Sequence, residues 1–180
     1  MVSLATMARG PQALAASLLA VVGCSASGPT FDGHVFRQGR EVAFHVPEPP
    51  PTWRKLAVSQ ASLAFHDEAS GASVLVNAQC RRPDEDTPLV ALTNHLLIGT
   101  TERELLLQEV RPFDGREIMH TRLRAKLDGV PRMFDLLVLK KDGCVYDFAY
   151  VVPPDRADQG MPPFERWVSG FRTLPGSGAL

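Results

Sequence analysis

Polar and apolar residues alternate along residues 41–46, where Val42, Phe44 and Val46 share one side, and that period of two predicts a half-buried strand. Residues 57–66 and 73–80 are also strand-like. His66-Asp67-Glu68-Ala69-Ser70-Gly71 between them has the polar, Gly-ended composition of a hairpin loop. The run Pro47-Glu48-Pro49-Pro50-Pro51 can neither donate to a ladder nor continue a helix, so it reads as a stiff exit leading to Trp53. A helix is predicted next, with Thr87 as N-cap, Pro88 at the first helical position and Asp84, Glu85 and Asp86 at the positive end of its dipole. Leu89, Leu92 and Leu96 form its apolar face, and it ends near Gly99.

Residues 116–152 hold the clearest pattern. Asp128-Gly129 and Asp142-Gly143 interrupt apolar, β-rich sequence, and Asp-Gly suits two-residue hairpin turns in which both positions take positive φ. The result is a three-stranded antiparallel meander in which Leu127 faces Val130 and Lys141 faces Cys144. Counting outward puts Met119, Leu123, Phe134, Leu136, Val138 and Ala149 on one face, read as the core. The other face carries His120, Arg122, Arg124, Asp135, Leu137, Leu139, Tyr146, Phe148 and Tyr150. After Pro162-Pro163, the residues Phe164, Trp167, Val168 and Phe171 fall at helical spacing and form one apolar stripe that packs on the sheet.

Composition narrows the class. The chain has 180 residues, about one domain's worth, and a formal charge of -1. Without a global basic field, binding to a nucleic-acid backbone is excluded as a first reading. A weakly basic start through Arg9, an apolar run over residues 13–22 and small residues before Cys24 have the parts of a secretory signal. The run is too short to span a bilayer. Val21-Val22-Gly23-Cys24 resembles the bacterial lipobox, which implies lipidation of Cys24 and a membrane anchor. Of three cysteines, Cys80 and Cys144 then remain. In an exported protein that even remainder invites a disulfide; two buried thiols are the alternative.

The order of strand, proline-rich exit to a Trp, strands, helix, meander and closing helix resembles the PsbP-like superfamily. The residues carrying the resemblance are Phe44-His45-Val46-Pro47, Trp53, the Lys141-Asp142-Gly143-Cys144-Val145-Tyr146-Asp147 turn and residues 164–172. That superfamily includes the extrinsic PsbP protein of photosystem II and small bacterial lipoproteins. The resemblance implies an α+β fold, an antiparallel β-sheet packed between helices (an α/β/α sandwich) in the order β-β-β-α-β-β-β-α. The expected organisation is a signal peptide (1–23), lipidated Cys24 with a flexible tether (24–40), one globular domain (41–174) and a disordered tail (175–180).

Chemistry leaves few candidates. No nucleophile elbow, phosphate loop, dinucleotide fingerprint or zinc-protease motif occurs, and the five histidines are scattered. Accordingly no catalytic residue, metal or cofactor is expected. The one constellation is the counted row Arg122, Asp135, Tyr150, flanked by His120 and Arg124. Either it stabilises the ladder through opposite charges, or it is a patch that receives an anionic ligand or a partner's carboxylate. Complete cover by the C-terminal helix would force internal partners and make it structural. The expected function is a noncatalytic binding or assembly module, anchored to the envelope membrane, facing the periplasm and meeting an envelope protein. The alternative is a carrier or sensor of a small apolar or anionic ligand in a cleft between sheet and helix.

Overall fold

The computed structural model describes residues 28–59, 61–80 and 86–174. Six strands come first: β1 (Thr30–Phe31), β2 (Val35–Gln38), β3 (Val42–His45), β4 (Trp53–Leu56), β5 (Leu63–Asp67) and β6 (Ala72–Cys80). Then follow α1 (Leu89–Leu96), β7 (Thr100–Phe113), β8 (Arg116–Leu127), β9 (Val130–Lys141) and β10 (Cys144–Val152). A 3-10 turn (Pro154–Arg156), α2 (Ala157–Ser169) and β11 (Arg172–Thr173) close the described chain. The strands form two antiparallel sheets, ordered β4-β5-β6-β10-β9-β8-β7 and β1-β2-β3-β11. This is richer in strand than the expected α/β/α sandwich, and its order departs from β-β-β-α-β-β-β-α.

Three Asp-Gly turns build half of the large sheet. Asp114-Gly115, Asp128-Gly129 and Asp142-Gly143 all take positive φ at both residues, as a two-residue turn matched to strand twist requires. Leu127 pairs with Val130 and Lys141 with Cys144, so the counted register is the real one. The first of these turns makes the meander four-stranded, because residues 100–113 form β7 rather than a connection.

Both faces of the large sheet are covered. On one, Leu92 and Leu97 at α1 pack on Met119, Leu123, Phe134, Leu136 and Val138. This is the face expected as the core, and it is the lesser of the two. The larger core lies opposite, where Leu137, Leu139, Phe148 and Tyr150 meet Phe164, Trp167, Val168 and Phe171 and the small sheet adds Phe36, Val42 and Phe44. Trp167 lies edge-on to Trp53 and Phe65, and its indole N–H donates to Pro47 O at 2.9 Å, fastening α2 to the proline exit. Gly170 is required there, since a Cβ would lie 2.2 Å from Pro47 Cγ.

Several boundaries differ from expectation. Residues 30–38, read as tether, form β1 and β2, because burying Phe36 against Phe44 rewards ordering them. Trp53–Leu56 is a strand, and residues 57–62 connect it to β5. Helix α1 starts one residue late, with Pro88 at the cap and no side-chain cap bond. Helix α2 begins at Ala157 and carries Pro162 and Pro163 inside it rather than before it. The signal peptide, Cys24, Asp84, Glu85 and the tail 175–180 lie outside the described residues.

Candidate functional site

The counted row is assembled as the register requires: Arg122 pairs with Asp135, and Asp135 with Tyr150. His120 Nε2 donates to Asp135 Oδ1 at 2.5 Å and Arg122 Nη2 to Oδ2 at 2.8 Å, so both carboxylate oxygens are engaged. The same Arg122 nitrogen donates to Glu165 Oε1 on α2 at 3.0 Å. Glu109 on β7 stands 3.7 Å from His120 Nδ1. At the other end, the Tyr150 hydroxyl donates to Ser70 Oγ at 3.4 Å, and Ser70 donates to Asp67 Oδ2 at 2.6 Å. Asp67 also accepts the Ala69 amide at 3.1 Å, which closes the β5–β6 turn.

Helix α2 seals this network. Asp135 and Tyr150 are 0% exposed and His120 4%. Gly160 lets the helix approach, since a Cβ there would lie 2.1 Å from the Tyr150 hydroxyl and 2.6 Å from Ser70 Oγ. Burial works to lower the Arg122 pKa, but Asp135 and Glu165 together outweigh it and hold the guanidinium above its ordinary value. Burial pushes the Tyr150 phenol above the usual tyrosine range; the Asp67 and Asp135 charges add to this and the Ser70 bond opposes it. A charge taken out of water needs a partner and hydrogen bonds. Asp135 has both oxygens engaged and Arg122 has two carboxylates on Nη2, while Arg122 Nε and His120 Nδ1 are buried without a hydrogen-bond partner.

The expected patch of His120, Arg122, Arg124, Asp135 and Tyr150 is therefore divided by the packing. His120, Asp135 and Tyr150 are enclosed, Arg122 is a quarter exposed at the rim, and Arg124 is exposed with Glu104 at 3.4 Å. Helix α2 covers the His120, Asp135 and Tyr150 part of the row and leaves Arg122 and Arg124 at its rim. Cys80 and Cys144 stand directly opposite each other on β6 and β10, with Cα atoms 3.9 Å apart, and form a disulfide. Asp86, one of the three clustered acids, is held below the usual carboxylate range by the hydrogen bond and charge of Lys140. Among the described residues, no group of three or more His, Cys, Asp or Glu is placed to hold a metal ion. No helix among them is long and apolar enough to cross a membrane.

The sequence reading missed the outer edge of the large sheet. β7 is its last strand and exposes Leu105, Leu106 and Val110 at 58%, 42% and 49%. Beside its C-terminal end, Arg111, Pro112 and Phe113 face Glu165, Arg166 and Val168 of α2 across a groove of about 370 Å³. The signal that would have found this strand is the third Asp-Gly pair, Asp114-Gly115.

The described chain is two antiparallel sheets, the larger with a helix on each face, and this architecture is that of the PsbP-like fold. Comparison with solved structures agrees. The chain superposes on the solution structure of cyanobacterial PsbP (CyanoP) from Synechocystis sp. PCC 6803 with a TM-score of 0.55 at 18% identity, over 88% of this chain and 98% of that one. It also superposes on the crystal structure of LpqN, described as involved in cell envelope biogenesis of Mycobacterium tuberculosis. That TM-score is 0.56 at 13% identity, over 73% of this chain and 83% of LpqN. A Bacteroides thetaiotaomicron structure aligns at TM-score 0.52 and 10% identity, over 73% of this chain and 45% of its own. No family model matches the chain, and no curated protein does. At these identities the likeness is one of fold.

Proposed function

We propose that this protein is a noncatalytic binding or assembly module of the bacterial envelope, held to the membrane by a lipid on Cys24 and facing the periplasm. One observation carries the reading: the titratable groups that could do chemistry on the sheet are spent on each other and on α2. Asp135 engages His120 and Arg122, and Tyr150 is pressed against Gly160. Among the described residues, a surface open to a macromolecule is the β7 edge with its exposed Leu105, Leu106 and Val110. The envelope role described for LpqN, a neighbour in fold, supports the location.

The test is a pull-down of the natively lipidated protein with mass spectrometry of co-purifying proteins and small molecules. A specific protein partner is the expected result; none, with a stoichiometric small molecule instead, overturns the reading. Cys24→Ala should leave the chain uncleaved or soluble in the envelope fraction, and unchanged acylation would exclude the anchor. A second reading, carriage of a small anionic molecule, draws on the groove between β7 and α2, where Arg111 and Arg166 both line the wall.

A further inference from the structure

The outer edge of β7 has a spacing that fits itself. After the register shift between Leu105 and Leu107, the strand runs regularly from Leu107 opposite Arg122 to Phe113 opposite Arg116. Phe113 and Arg116 flank the two-residue turn and so form a hydrogen-bonded pair. The antiparallel alternation then directs the backbone groups of Phe113, Arg111, Glu109 and Leu107 toward β8 and those of Pro112, Val110 and Gln108 outward. Pro112 lies where its missing N–H faces away from the sheet, the position in which a strand proline is tolerated. Val110 and Gln108 present amides and carbonyls on the side of β7 away from β8, at the end of the sheet order.

We infer that this edge pairs antiparallel with β7 of a second copy of the chain, centred on Val110 opposite Val110. In that register each Glu109 lies across from Arg111 of the other copy, and each Leu107 across from Phe113. The Val110 pair exchanges reciprocal N–H···O=C bonds, and each Gln108 amide reaches a Pro112 carbonyl. Phase and charge select this alignment. Outward-facing residues must oppose outward-facing residues, so the strands slide only in steps that keep them matched. One step in either direction sets Glu109 against Glu109 or Arg111 against Arg111, and like charges directly opposite disfavour pairing. Arg111, exposed and without an ion-pair partner among the described residues, is the cation this register uses.

The matched stretch is short, well below a standard stable interface, so the pairing is weak in free solution. It rests on the membrane-anchored reading above, because confinement to one membrane supplies the effective concentration a short edge lacks. The shift before Leu107 and the missing amide of Pro112 end the pairing on both sides, which limits it to a dimer rather than a growing sheet.

The experiment uses full-length protein in its native membrane. Val110→Cys should give a dimer crosslinked by a disulfide on mild oxidation with copper-phenanthroline, since Cα atoms of a hydrogen-bonded antiparallel pair are about 5.5 Å apart. Leu105→Cys should not, because its two copies would stand roughly 30 Å apart along the strands. In the Val110→Cys background, Arg111→Glu should cut crosslinking at least tenfold, and Glu109→Arg should do the same. Combining Glu109→Arg with Arg111→Glu restores opposite charges and should restore the dimer. Equal crosslinking from Val110→Cys and Leu105→Cys, or no response to either charge change, overturns the inference. Crosslinking of Val110→Cys to a different protein also overturns it. If the dimer fails while envelope proteins still co-purify with the wild type, self-pairing is wrong and the binding-module reading stands. If the dimer forms and nothing else co-purifies, the chain is its own partner.

Discussion

Replacing Gly160 by Ala tests whether the close approach of α2 to the polar row is obligatory. In an exposed helix this change would stabilise by about 1 kcal/mol, because Ala has the higher helix propensity. Here the added Cβ would meet the Tyr150 hydroxyl at 2.1 Å, Ser70 Oγ at 2.6 Å and Ser70 Cβ at 2.9 Å. The Tyr150 ring cannot retreat, since it is fully buried and stacked on Phe164 at 5.3 Å. Overpacking a core costs ~1–3 kcal/mol, and an overlap of this depth lies at the upper end. The net effect is a destabilisation of about 2 kcal/mol, or roughly 4–8 °C in Tm for a domain of this size. Tyr150→Phe removes the atom in closest conflict and by itself sacrifices a long 3.4 Å hydrogen bond, while Ser70 keeps Asp67. Adding Tyr150→Phe to Gly160→Ala should recover at least ~1 kcal/mol, a coupling typical of touching residues. Urea denaturation of the four proteins measures the cycle. If Gly160→Ala is neutral or stabilising, or the coupling is zero, α2 does not press on the row as described.

Replacing both Cys80 and Cys144 by Ala opens a cross-link between residues 64 apart and should cost about 4 kcal/mol in the chain-entropy model; a loss under ~1 kcal/mol by urea titration would contradict it. Asp135→Ala strands His120 and the inner side of Arg122, and the melt should show a loss of about 3 kcal/mol, near the low end for a buried pair because Glu165 still accepts from Arg122. Tyr150 holds its proton in the folded state above the unfolded tyrosine pKa, so the folded chain binds more protons there and stability declines as pH rises past ~10. Tyrosinate absorbance in a Tyr146→Phe background follows it directly, and ionisation of folded Tyr150 at the ordinary tyrosine value would refute the burial argument.

How much of this protein its sequence determined depends on the range of the interactions involved. Asp128-Gly129 and Asp142-Gly143 fix local backbone, and because a strand alternates faces without slippage, those two turns carry register outward to Arg122, Asp135 and Tyr150. The apolar stripe of α2 and the stiff proline exit are likewise local properties. What the pattern hid is where neighbours override period. Bulges in β7 break its alternation of faces, so Leu105, Leu106 and Leu107 gave no strand signal despite the nearby Asp114-Gly115 turn. The tether-like residues 30–38 become strands only because Phe44 offers Phe36 a surface to bury against.

The sheet's two faces show the same division. Sequence placed Met119 and Leu123 on one and His120, Arg122 and Asp135 on the other, and polarity alone made the first look like the core. Tertiary packing reversed their weight, because Phe148, Tyr150 and Leu137 share the polar face and bury large apolar side chains in the core with α2, while Asp135 bonds both His120 and Arg122. A local pattern can say which side chains share a face. Only the element that packs across it decides whether their charges meet solvent, a ligand or one another.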